Sequence, residues 1–362
     1  MVASLLLVVA GCAVLRISDA ELLAHQRGPA TLAPPLRIVW TYNAGAGFGQ
    51  AGAVVLGNHV LVATRSGDLH AVSVESGGRL GVKSFGDALE AAPLIQGSML
   101  YVPVDMGRRA LYGYSLEHST VEWRRKGPPV SVGLLDTERG FVSVDTHAAV
   151  RHHAGEQVLW EQHLGEDRFV HARPVQAAGY VIVADNQGTV HALEIDTGAA
   201  RWATALGVPV YTSMAAHADR VYVATTRGKL FALAASTGAV LWRYAHPDAA
   251  VRLATPAADA AMVVFGGTDG TVTALDSETG MQLWQWEGPD AVVAAPYMNA
   301  HAIYVGSMGA VMYALDRSNG AVLWQEELRG RVKSDIVGYD DFLVVLSEPR
   351  HVYLLKADEE AQ

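Results

Sequence analysis

Residues 188–202 read GTVHALEIDTGAARW, 228–242 GKLFALAASTGAVLW, 270–284 GTVTALDSETGMQLW and 309–324 GAVMYALDRSNGAVLW. One phrase is written four times: a glycine, a short apolar run through Ala-Leu, a polar residue before a second glycine, and a tryptophan four residues later. Weaker copies end at Trp123 and Trp160, another has Gly81 in the tryptophan place, and Trp40 closes an apolar run at the front. The anchors 40, 81, 123, 160, 202, 242, 284 and 324 are spaced by 41, 42, 37, 42, 40, 42 and 40 residues. A period of this size, filled with short strand patterns, marks an array whose units complete their cores only against their neighbours. The 362 residues are therefore read as one repeat body rather than two or three domains.

Each unit reads as four strands. The first is brief and often led by proline, as at Pro93, Pro174, Pro256 and Pro296, where the missing N–H costs least. The second is a near-continuous apolar run, such as Val181-Ile182-Val183 or Ile303-Tyr304-Val305, the pattern of a strand covered on both faces. The third carries the Ala-Leu phrase, and a polar-Gly turn such as Thr197-Gly198 or Asn319-Gly320 leads to the fourth. Trp40, Trp123, Trp160, Trp202, Trp242, Trp284 and Trp324 are read as ring-shaped fillers of the wedges between neighbouring sheets. Four-stranded units at this period fit a β-propeller. Seven units lie between Trp40 and Trp324; an eighth begins at Gln325 and stops without its tryptophan strand, while Leu36–Trp40 is a tryptophan strand with no unit before it. The expected fold is all-β: an eight-bladed propeller closed by its N-terminal strand, with seven blades as the rival count.

Half of the residues are apolar, 18% are charged and 36 are glycine, a composition suited to buried strands and tight turns. The formal charge of −10, with no basic run, argues against binding nucleic acid through its phosphates. The single cysteine, Cys12, excludes a disulfide framework and a thiolate metal site from the body. Met1–Leu15 is almost wholly apolar and too short to span a bilayer, which suits a signal-peptide core. Val9-Ala10-Gly11-Cys12 at its end resembles the bacterial lipobox, although no Lys or Arg precedes the apolar run. The expected organisation is a signal peptide over 1–11, a lipid-anchored tether over 12–35 starting at Cys12, the propeller over 36–357 and a tail over 358–362.

The phrase G-x-L-x-A-L-D-x-x-T-G-x-x-L-W resembles the pyrroloquinoline-quinone-type propeller repeat, over about Leu36 to Leu355. That resemblance is specific for fold and poor for function. Within the superfamily, a lipobox joined to a bare eight-bladed ring is similar to the BamB family. It implies a non-catalytic, outer-membrane-anchored, periplasm-facing scaffold that assists β-barrel assembly, a monomer within a larger complex whose partner is the barrel insertase. Ala13 after the cysteine, rather than Asp, agrees with the outer membrane. An exported propeller binding another protein or a small ligand is the alternative. A quinoprotein dehydrogenase is a remote one: such enzymes are longer and use adjacent cysteines over the cofactor with calcium held by Glu, Asn and Asp. A chain with only Cys12 lacks that pair, so no cofactor and no metal are expected.

No catalytic residue is expected. His147, His152, His153, His163 and His171 crowd together, but the spacing is irregular and adjacent strand residues face opposite ways, so packing and solvation are the expected roles. His70 and His191 share a repeat slot filled elsewhere by Tyr, Arg, Phe or Thr, which marks a structural position. The glycine-rich 45–49 stretch has no helix behind it and is no phosphate cradle. Glu90, His171, Arg173, Tyr211, Arg252, Lys333 and Asp335 stand near the starts of inner strands, around the channel, as possible partner-binding residues. Asp167 and Arg168 lie in a loop between blades comparable to the one the BamB resemblance implies for the insertase.

Overall fold

A computed structural model describes residues 15, 17, 28–106 and 109–358; Cys12 and the expected signal segment lie outside the described residues. Eight four-stranded antiparallel sheets are formed. Blades 1 to 7 cover 54–84, 94–126, 135–163, 175–205, 215–245, 257–287 and 297–327, each a meander with its first strand innermost. Blade 8 takes three strands from 337–357 and its outer strand from Leu36–Asn43, which pairs antiparallel with His351–Ala357 from Leu36↔Ala357 to Asn43↔His351. The expected count and closure are both found, and the outer strand runs three residues beyond Trp40.

In a meander the chain reverses at alternate ends, so each propeller face is made of one kind of connection. The loops between blades and the turns joining second to third strands form one face, here the loop face. The hairpins joining first to second and third to fourth strands form the opposite, hairpin face. Second strands such as Tyr180–Ala184 and Phe342–Ser347 are buried nearly throughout, as their unbroken apolar sequences require.

The seams between blades are built by the repeated phrase. The indole N–H groups of Trp40, Trp160, Trp202, Trp242 and Trp284 donate to the carbonyls of Val74, Ile195, Ala235, Ser277 and Arg317, in each case in the next blade's third-to-fourth-strand hairpin. The turn glycine of that hairpin lies under the ring. A Cβ on Gly77, Gly198, Gly238, Gly280 or Gly320 would fall 2.5 to 2.6 Å from the indole of the preceding blade. These glycines also have positive φ, between 67° and 75°. One residue thus meets two demands, the turn conformation and the close approach of the neighbouring ring.

Two anchors depart from the rule. Trp123 lies over Gly113 of its own blade, because the next hairpin is cut short at Gly155, where nothing stands within 4 Å of a Cβ. Trp324 packs with Ala30, Leu32 and Leu36 instead of a hairpin, since blade 8 has no third-to-fourth-strand turn. A register shift next to the anchor recurs in each fourth strand, as between Ala192/Leu193 and Ala274/Leu275. The anchor's face is therefore set by a bulge, not by strict alternation along the strand.

Within the stretch read as a tether, residues 28–35 are docked on the ring. The Gly28 and Thr31 N–H groups donate to the Asp340 carboxylate and carbonyl, and the Leu32 carbonyl accepts from Tyr304 Oη and Asn299 Nδ2. Its apolar side chains, Ala30 and Leu32, are buried in the seam between blades 7 and 8, which explains why so short a stretch is held.

Candidate functional site

Residues in or just before the inner strands of all eight blades surround a central cavity of about 780 Å³, bordered by Glu90, His171, Arg173 and Asp335 among the expected residues. Asp335 is held there by the Ala295 N–H at 3.1 Å, while its own N–H donates to the Gln50 carbonyl. Burial raises its carboxyl above the ordinary range, against the opposing pull of that N–H and of Arg173. Asp105 is raised too, by burial and then by Glu90. Tyr211 and Arg252 border a second cavity of about 550 Å³ on the loop face, with Thr212, Thr225, Thr226 and Thr268. The His171 ring lies 5.1 Å from that of Tyr211 and links the two.

Glu90 and Lys333 belong to an ion-pair collar that closes over the junction of blades 8 and 1. Arg65 forks onto Glu90 at 2.7 and 3.1 Å and approaches Glu348 at 3.8 Å. Lys333 Nζ sits 2.8 Å from Glu348, which also accepts the Phe48 N–H. Burial would raise the Glu348 carboxyl, but Lys333, the Phe48 N–H and Arg65 outweigh it and the net shift is downward. Arg65 and Glu348 were missed in the sequence because the network joins loops at opposite ends of the chain.

Asp167 and Arg168 are not part of this group. Asp167 is exposed in a left-handed turn with φ 56°. From the loop between blades 3 and 4, Arg168 pairs with the fully buried Asp185 of blade 4, which His191 Nε2 also meets at 2.9 Å. Burial opposes ionisation of Asp185, but His191, the Thr189 N–H and Arg168 prevail and bring it down to about 2. The same device recurs in blade 3, where Asp145 accepts from Arg151 at 2.6 Å. Asp145 and Asp185 each cap the turn that follows by accepting two backbone N–H groups. The signal in the sequence is an aspartate six residues before the repeat slot held by Arg151 and His191.

The histidine cluster splits as strand geometry demands. His152 bonds Thr137 Oγ1 at 2.9 Å, while His153 bonds Ser143 Oγ at 2.8 Å and stacks on Phe141. Among the described residues no group of three or more His, Cys, Asp or Glu side chains converges as metal ligands would. Burial pushes the His153 imidazole from 6.5 down to about 3, helped by Arg125 and Arg151. The unfolded chain then takes up a proton that the folded one refuses, so stability falls as pH falls through 6.5. The expected loss between pH 6.5 and 5 is about 2 kcal/mol. Urea unfolding of wild type and His153→Phe at pH 7 and pH 5 checks this: the variant should show a correspondingly smaller pH dependence.

The family model described as outer membrane protein assembly factor BamB matches residues 35–150, 145–291 and 269–361. No curated protein sequence matches the chain. BamB from Moraxella catarrhalis superimposes with a TM-score of 0.73 at 17% identity, over 89% of this chain and 100% of that one. The computationally designed Ika8 protein gives 0.73 at 16% identity, over 87% and 98%. Quinohemoprotein alcohol dehydrogenase from Comamonas testosteroni gives 0.72 at 11%, over 95% of this chain and 78% of that one. At such identities these structures share a fold with the chain. The adjacent-cysteine pair expected of a quinoprotein site has no counterpart here, where the sole cysteine is Cys12.

Proposed function

The chain belongs to the family of outer membrane protein assembly factor BamB, and from that premise we propose that it is a non-catalytic scaffold. It is lipid-anchored through Cys12, faces the periplasm and assists insertion of β-barrel proteins into the outer membrane. Its partner is a protein, the barrel insertase, and the surface offered to it is the loop face. The observation that carries this reading is the division of labour between faces. Residues 28–32 pack on the hairpin side, against Asp340, Tyr297 and Asn299. The loop face exposes Phe169 at 42% and Tyr211 at 45%, and Tyr211 lies beside His171 and Arg252. Exposed aromatics set among charged and polar groups are the composition of a protein-binding patch. Purification of the tagged, lipidated protein in mild detergent tests the reading: a barrel-assembly subunit should co-purify in near-stoichiometric amount. Recovery of the propeller alone, or with an unrelated ligand in the central cavity, would favour the alternative of an exported binding module.

A further inference from the structure

Seven of the eight anchor positions in the fourth strands hold tryptophan; blade 1 alone holds glycine, Gly81. The register places it in the anchor position without ambiguity, since Ala71↔Gly81 repeats the pairings Ala192↔Trp202, Ala232↔Trp242 and Ala274↔Trp284. A tryptophan's worth of side chain is thus missing from the seam between blades 1 and 2, yet Gly81 is buried. The seam is filled from the N-terminus. Leu15 and Ile17 are 1% and 0% exposed and join one apolar cluster with Ala71 and Leu69 of blade 1 and Leu100, Tyr114 and Leu116 of blade 2. The polar half of the anchor is replaced as well. The Ile17 N–H donates to the Leu116 carbonyl at 3.2 Å, and Tyr114 Oη donates to the Leu15 carbonyl at 2.8 Å. By the repeat alignment Leu116 is the counterpart of Val74, Ile195, Ala235, Ser277 and Arg317, the carbonyls that accept tryptophan N–H elsewhere.

We propose that Leu15 and Ile17 together are a built-in substitute for the missing tryptophan of blade 1, and that the Gly81 seam is a binding site for these two residues of the chain's own N-terminal part. The segment makes the ring's second clasp. The first is the strand in blade 8; the second reaches past blade 1 to blade 2, on the same hairpin face. Resting on the reading of Cys12 as the lipidated residue, the clasp also sets the protein's attitude. Cys12 stands three residues before Leu15, a reach of about 10 Å at full extension. A lipid there would hold the hairpin face at the membrane and turn the loop face toward the periplasm, in place of a long swinging tether.

The test uses the full chain and needs neither lipid nor partner, so it can succeed or fail independently of the scaffold reading. Trypsin cleaves after arginine, and the bond leading into Ile17 follows Arg16. That bond should be cut at least tenfold more slowly in the folded wild type than in Ile17→Ser, which keeps a neutral residue after the scissile bond. Gly81→Trp should restore the standard seam and expel the segment: cleavage becomes fast while the melting temperature holds or rises. Adding Ile17→Ser to Gly81→Trp should then cause no further loss of stability, whereas alone it lowers the melting temperature by several degrees. Equal cleavage rates in wild type and Ile17→Ser would overturn the proposal. So would a Gly81→Trp protein that keeps the bond protected and melts lower than wild type.

Discussion

A chain from which only Leu36–Asn43 are deleted should show no cooperative unfolding transition. Blade 8 would lose its outer strand, leaving His351–Ala357 an open edge, and Trp40 would vanish from the cluster it shares with Val60, Val62, Val72 and Val344. The bond from Trp40 to the Val74 carbonyl, which ties blade 8 to blade 1, goes with it. In a closed ring every blade has two neighbours; an open one leaves two blades half-covered and all eight free to splay. A buried tryptophan alone is worth about 3–5 kcal/mol against the roughly 5–15 kcal/mol of an ordinary domain, and the ladder of the strand is lost with it. The deletion alone could fail for trivial reasons, so the informative partner is a permutant. Residues 36–43 are moved behind Ala357 through a Thr-Gly hairpin like those of the other blades. Circular dichroism and urea unfolding should recover a single transition in the permutant. A deleted chain that melts as sharply as wild type would remove the basis for ring closure.

The second large effect is at the seam glycines. Gly280→Ala should cost about 3 kcal/mol, combining a left-handed backbone at φ 71° with a Cβ placed 2.6 Å from Trp242 Cδ2. Gly155→Ala offers a control in the corresponding hairpin of blade 3. It has a similar φ of 60° but nothing within 4 Å, so only the backbone penalty of about 1 kcal/mol remains. Urea unfolding of the two variants separates conformational strain from loss of the indole contact. Equal costs would mean that the ring does not press on the turn.

The repeat phrase makes most of this architecture legible, because the residues that set the fold are also those that recur. Tryptophan, turn glycine and the apolar second strand each answer a local demand, and the spare strand at the front matches the missing one at the end. The seams that break the rule were harder to read. Trp123 is present in the sequence, yet its acceptor hairpin is shortened, and a missing partner leaves no mark on the residue that lost it. Leu15 and Ile17 fall in a run whose apolarity is the same whether it serves export or packing. On the loop face, His171, Arg173, Tyr211, Arg252 and Asp335 could be placed near the channel because inner strands begin there. The collar could not be foreseen: Phe48 and Glu348 are 300 residues apart, and only closure of the ring brings their loops together. The pairing of Arg168 with Asp185 was likewise not legible, because Asp185 reaches it from the turn between the second and third strands of the following blade.

Site-specific photo-crosslinking in intact cells tests the central claim most directly, that the loop face meets the assembly partner. Probes replace Phe169 and Arg252 on the loop face and Met281, 70% exposed, on the hairpin face. The expected result is a crosslink to a β-barrel assembly subunit from the two loop-face positions and none from Met281. Crosslinks to that subunit from Met281 alone, or none from any position, would contradict it.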